Sequence, residues 1–139
     1  MAESAQTRKL CDALEKAGAT TLAFVGGVMQ QVGLPDRFVA SLRPRFLGFI
    51  EAKWESRVVS LRQRIVHESL ITRGVPVIIA RYEGSLVKLS CSIGRQGEWG
   101  EGECDIKDGR KCLVEMADLT RLAREEGLWP FYTKSMESE

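Results

Sequence analysis

The chain has few of the residues that announce a special chemistry. Its 139 residues include one histidine and four cysteines, and no two cysteines form a CxxC pair. That density is far below a disulfide scaffold's, so reduced thiols are expected. No run approaches the roughly eighteen apolar residues of a membrane-crossing helix, and the N-terminus lacks a basic region followed by an apolar stretch. A cytoplasmic protein with no membrane partner is expected. GxSxG, HExxH, P-loop and Rossmann glycine patterns are absent as well. A formal net charge of +1 excludes a uniformly basic coat for nucleic acid or membrane.

What is present is ordinary globular composition, 44% hydrophobic and 28% charged, in a length that suits a single domain over 1–139. In the first half apolar residues recur every three or four positions, which predicts helices. One runs from Ser4 through Leu10, Cys11 and Leu14 to Gly18, and a second from Thr20 or Thr21 through Leu22, Val25, Met29 and Val32 to Gly33. After a short piece, Pro35–Leu42, Pro44 takes a first helical position and a main helix continues to Arg73, with Ile50, Trp54, Val58, Leu61 and Ile65 on one face. Such a helix would be about 45 Å long, more than the domain's own diameter. With a second apolar set at Val59, Val66, Leu70 and Ile71, that length implies burial by a second copy, and a homodimer is expected.

Beyond Gly74 the period becomes two and strands are predicted. Val75–Ile79 would be the first, Pro76 leaving it at a sheet edge or at its own start. Leu86–Ile93 alternates, with Val87, Leu89, Cys91 and Ile93 inward. A loop of Tyr82, Glu83 and Gly84 would set Val87 and Leu89 opposite Ile79 and Val77. Lys107-Asp108-Gly109 would likewise turn the chain between strands Glu103–Ile106 and Lys111–Met116. Asp118 would cap a last helix, Leu119–Glu126, with Leu128–Tyr132 docking back and a frayed tail at 133–139. The fold class expected is α+β: N-terminal helices including one long helix (1–73), then a four-stranded antiparallel meander with a short C-terminal helix (75–132).

Charge is distributed unevenly. Residues 37–81 carry nine Lys or Arg against Glu51, Glu55 and Glu68, while residues 98–108 carry Glu98, Glu101, Glu103, Asp105 and Asp108 against Lys107. On the predicted long helix Lys53, Arg57, Ser60, Arg64 and His67 recur at steps of four and three and form one ribbon. That ribbon suits nucleic-acid phosphates or an acidic protein, and a solvated helix face is the plain alternative. Trp99, among Gly97, Glu98, Gly100 and Glu101, reads either as a plug over the sheet edge or as an anchor for a partner. Cys91, Cys104 and Cys112 share the predicted inner face and, with His67, have the composition of a Cys3His zinc set. The nearest two are eight residues apart, however, so core thiols fit better, with a Cys104–Cys112 disulfide as the third reading. The acids of the Gly-rich loop do not follow an EF-hand order, and pairs such as Glu101 with Glu103 read as exposed loop acids. No metal, cofactor or small-molecule substrate is inferred.

Two stretches, Val32-Gly33-Leu34-Pro35-Asp36-Arg37-Phe38 and Leu42-Arg43-Pro44-Arg45-Phe46, together resemble the second helix-turn-helix of AraC-type regulators, where a Val-Gly-Phe/Leu turn precedes a helix ending in Arg-x-Arg-Phe. The likeness covers about fifteen residues. Pro44 interrupts the position of the recognition helix and the strands that follow have no counterpart, so no family is assigned from it.

No nucleophile, base and orienting group assemble from these residues. The expectation is a small non-enzymatic regulatory module that contacts nucleic acid through Arg43, Arg45, Lys53, Arg57, Arg62, Arg64 and Arg73. The alternative is a protein-protein adaptor or inhibitor that meets its partner through Glu98, Trp99, Glu101 and Glu103.

Overall fold

The computed structural model describes residues 5–23, 35–54 and 57–129. Their elements follow in the order α1 (Ala5–Lys16), β1 (Thr20–Ala23), β2 (Arg37–Leu42), β3 (Arg45–Trp54), α2 (Leu61–Ile71), β4 (Val77–Glu83), β5 (Leu86–Ser92), a 3-10 turn (Gly94–Gln96), β6 (Glu98–Asp105) and α3 (Gly109–Glu125). The six strands form one sheet in sequence order. Neighbours are antiparallel except β3 and β4, which run parallel because α2 carries the chain back between them. Thr7 of α1 meets the Tyr82 hydroxyl at 3.1 Å, while His67 of α2 meets Ser92 at 2.9 Å. Tyr82 pairs with Val87, five residues from Ser92, so the two contacts fall on opposite faces of the sheet. One face is therefore covered by α1 and α3, packed on each other, and the other in part by α2.

The mixed α+β architecture agrees with expectation, but the long helix and the four-stranded meander do not form. Residues 45–54 are strand, and the helix that remains is about 16 Å long. Because β3 lies inside the sheet, residues 48–51 are all buried and the alternation that marks a half-exposed strand is lost. A continuous apolar run then reads as helix. Gly48 shows how tightly β3 is placed: a Cβ there would lie 2.5 Å from the Pro76 carbonyl oxygen, which accepts the Phe49 N–H at 2.9 Å as parallel pairing begins. The helix-turn-helix likeness lapses for the same reason, since β2, a turn with a cis Arg43–Pro44 bond, and β3 occupy its second half.

Thr20–Ala23 is strand rather than the start of a second helix. Val25, Met29 and Val32 of that predicted helix, and the tail 133–139, lie outside the described residues. β4 is not an edge strand: Pro76 precedes it, and β3 and β5 flank it. The turn after β4 is made by two residues, Gly84 (φ 64°) and Ser85, so Val87 faces Tyr82 and Leu89 faces Ala80, a different register from the one expected. The predicted strand Lys111–Met116 belongs to α3, whose buried residues Cys112, Leu113, Met116, Leu119, Thr120 and Ala123 have helical spacing over a window longer than the strand assignment sampled. Asp108 caps it, accepting from the Lys111 N–H at 3.2 Å, and Asp118 stands inside the helix. A disulfide joins Cys104 to Cys112, so the core-thiol reading holds only for Cys11 and Cys91, which are buried and outside any disulfide. No helix among the described residues is long and apolar enough to cross a membrane.

Gly109 opens α3 where it crosses α1, and a Cβ there would lie 2.0 Å from the Ala13 carbonyl oxygen. Backbone cannot yield that far, so Gly109→Ala is expected to lower stability by roughly 1–3 kcal/mol. A urea titration would read this as a lower midpoint at unchanged slope. A midpoint equal to the parent's would contradict the packing of α3 on α1.

Candidate functional site

Extending the β2–β3 register by one step from Arg37↔Ile50 sets Asp36 beside Glu51. The Ala52 N–H donates to Asp36 Oδ2 at 2.7 Å and holds that carboxyl against β3. Glu51 and Lys53 are two apart on a strand, so both side chains share the face on which α2 lies. Asp36 is exposed and Lys53 half-buried, while Glu51 is only 2% exposed.

Position and order of α2 come from its N-terminus, where Ser60 and Gln63 form a reciprocal capping box. The helix then presents His67 to the sheet. Its Nε2 lies 3.3 Å from Glu51 Oε1 and its Nδ1 2.9 Å from Ser92 Oγ, and the Gly94 N–H donates to that same hydroxyl at 3.3 Å. Burial first, then the neighbouring Asp36 carboxylate, push the Glu51 carboxyl up to about 9 against a partial pull from Lys53. Burial and the Lys53 charge push His67 down to about 4. Both partners are therefore neutral near pH 7, and their contact is a hydrogen bond rather than an ion pair. Asp36 stands beside Glu51 in register, close enough for its charge to act on that carboxyl. With the imidazole proton on Nε2, Oε1 accepts from it and Nδ1 accepts the Ser92 hydroxyl proton.

Ser92, His67 and Glu51 have the order of a nucleophile, a base and an orienting acid. Their burial argues otherwise, for Ser92 is 1% and His67 0% exposed. A cleft on this face, about 280 Å³ and lined by Arg81, Lys88, Ser90, Glu98, Glu101 and Glu103 among others, is bordered by Ser90 and not by Ser92. The chain of hydrogen bonds thus holds Glu51 rather than attacking a substrate.

Lys53 pairs in register with Arg81, and Arg81 with Lys88, so three cations stand in a row across β3, β4 and β5. Glu98 answers them: it forms an ion pair with Arg81 and accepts from Ser90 Oγ at 2.7 Å. Arg81 Nη2 also donates to the Arg57 carbonyl oxygen at 3.0 Å, tying the segment before α2 to the sheet. Of the cations expected on one ribbon, Lys53, Arg57 and Arg64 come to this region. Arg62 is exposed on α2, and Arg73 lies beyond the helix's other end. Arg43 and Arg45 sit at the start of β3, about 26 Å along the strand from Lys53. Of the acids expected on a loop, Glu98, Glu101, Glu103 and Asp105 are on β6, the first three lining the cleft, and Asp108 caps α3. Trp99 is half-buried against the core, opposite Cys91.

Val59 and Leu70 pack inside this chain, and the argument from a 45 Å helix no longer applies. Val58, Leu61 and Ile65 are exposed, by 71%, 64% and 47%. Trp54's side chain lies outside what is described.

Sequence reasoning missed Asp36 and Glu51. On a helix, residues two apart point about 200° from each other, so Glu51 and Lys53 would be separated, whereas a strand sets them side by side. The usable signal was an acid, one intervening residue and a lysine within a run bounded by Pro44 and the polar stretch before α2. No group of three or more His, Cys, Asp and Glu side chains is gathered around a metal position among the described residues.

Burial alone would raise the Glu98 carboxyl, but hydrogen bonds from Arg81 and Ser90 and the charges of Arg81 and Arg64 outweigh it and leave it below the ordinary range. A depressed carboxyl stabilises the fold above its unfolded-state value of about 4 and loses that contribution as pH falls through the folded value. Glu98→Gln is thus expected to flatten the fall in stability between about pH 5 and about pH 3. An unchanged slope would contradict the Arg81–Glu98 contact. Comparison with protein-family models and with curated proteins finds no match, so the chemistry is read from the site itself.

Proposed function

We propose that this protein hydrolyses phosphodiester bonds of nucleic acid with a divalent cation held by Asp36 and Glu51 and with Lys53 beside the scissile phosphate. The reading departs from the non-enzymatic expectation and keeps its nucleic-acid partner. The observation that carries it is the juxtaposition of the two carboxyls in register, one buried and one open to solvent, with a lysine on the same face two residues on.

The donor set fits a hard cation. Magnesium is commonly bound through one or two carboxylates, its remaining positions filled by water and substrate phosphate, and an exposed Asp36 leaves room for both. A bound Mg2+ or Mn2+ would let both carboxyls ionise, lower the pKa of a coordinated water and polarise a phosphoryl oxygen. In the reaction, water oxygen bonds to phosphorus and the bond from phosphorus to one sugar oxygen breaks. One water proton goes to that oxygen, leaving a phosphomonoester and a free hydroxyl. The Lys53 ammonium favours the negative charge that gathers on the phosphoryl oxygens. A polymer suits the surroundings better than a small ester, because Asp36 is exposed and the exposed Arg57 and Arg62 offer charge beyond a single phosphate.

The test is incubation of the purified protein with end-labelled single- and double-stranded DNA and RNA at low salt, with Mg2+, with Mn2+ and with EDTA. Metal-dependent cleavage is expected, falling at least ~100-fold in Asp36→Asn, Glu51→Gln and Lys53→Ala. Absence of cleavage, or cleavage that survives all three substitutions, would overturn the reading. Salt-sensitive binding without cleavage would return the protein to a non-enzymatic nucleic-acid module.

A further inference from the structure

Glu51 is held at three places. Its own strand fixes its backbone between β2 and β4, Asp36 stands beside it just before β2, and His67 meets it from the helix side. The third contact is not required by the fold of the sheet, since it comes from a helix. It is also the most constrained, because His67 is itself clamped: the Gly94 N–H donates to Ser92 Oγ, Ser92 Oγ meets His67 Nδ1, and His67 Nε2 meets Glu51 Oε1. Every donor in this chain has one acceptor, and His67 and Ser92 are fully buried, so neither has water as an alternative partner.

We propose that His67, oriented by Ser92, is a positioning residue: it occupies Glu51 Oε1 and thereby commits the other carboxylate oxygen, together with Asp36, to a divalent cation. The inference rests on the cation reading above and adds to it the device that sets the carboxylate's rotation. Isolated carboxylates rotate freely between the orientations that bind a cation with one oxygen or with two. A buried N–H on one oxygen removes that freedom before the cation arrives. Groups that orient a ligand in this way typically contribute 10–100-fold in metal affinity. The arrangement also explains why a neutral imidazole and a buried hydroxyl stand on this face, where apolar residues would pack equally well.

The probe is Mn2+, titrated into the apo chain and followed by calorimetry and by the loss of the free-ion paramagnetic resonance signal. Three variants are compared, each checked for a parent-like far-ultraviolet dichroism spectrum. His67→Leu removes the donor at similar size, Ser92→Ala removes the clamp, and His67→Gln keeps an N–H donor on a flexible side chain. Weakening of Mn2+ binding by roughly 10-fold or more is expected for His67→Leu and Ser92→Ala, with partial recovery in His67→Gln. On a nucleic-acid substrate kcat at saturating Mn2+ should fall with KM little changed. Should His67→Leu not fold, Ser92→Ala decides the matter alone. Folded variants that bind Mn2+ as the parent does would overturn the positioning role while the cation site stands. A parent protein that binds no Mn2+ at millimolar concentration overturns both.

Discussion

A carboxyl on the buried face of an interior strand is among the most demanding groups a small fold can hold. Left without partners, the ionised form would cost several kcal/mol, and burial accordingly holds Glu51 in its neutral form. Around that one group the rest of the sheet is arranged. Asp36 must end the approach to β2 beside it, β3 and β4 must run parallel so that α2 returns across this face, and α2 must begin at the Ser60–Gln63 box for His67 to arrive above it.

The two faces of the sheet divide the work. On one, α1 and α3 close over Ile78, Ala80, Val87, Leu89 and Cys91, and the Cys104–Cys112 bond joins β6 to the N-terminal turn of α3. This face carries most of the apolar burial that any chain of this length depends on. On the other, among the described residues, a single short helix covers part of the sheet, and the strands beyond it present Lys53, Arg81, Lys88 and Glu98 in place of core. A fold that needed both faces for stability would have no room for an open charged surface. Here the α1–α3 layer supplies the core and frees the opposite side.

How far the sequence foretold this depends on the element. α1 was legible, with Leu10, Cys11 and Leu14 on one side and Gly18, at φ 103°, closing it, because a surface helix keeps its period. β5 was legible for the matching reason: Val87, Leu89 and Cys91 alternate with polar residues and face the core, although Ser92 on the other face is buried under α2. β3 was not, since a strand buried on both faces has no period of two, and its apolar run joined that of α2 into one apparent helix. This single error hid the site. It placed Glu51 and Lys53 on different sides, spread the basic residues into a ribbon, and sent Arg43 and Arg45 to the company of Lys53 when they stand at the far end of the strand. α3 was cut short by a glycine that serves close packing on Ala13 rather than a turn.

The central claim is that Asp36 and Glu51 together form the seat of a divalent cation. It is tested most directly by soaking crystals of the protein in Mn2+ and measuring anomalous scattering. The account predicts a manganese peak between the two carboxyls, within about 2.0–2.6 Å of an oxygen of each, with His67 Nε2 still bonded to Glu51 Oε1. Fully soaked crystals with manganese bound elsewhere or not at all, and none between these carboxyls, would contradict it.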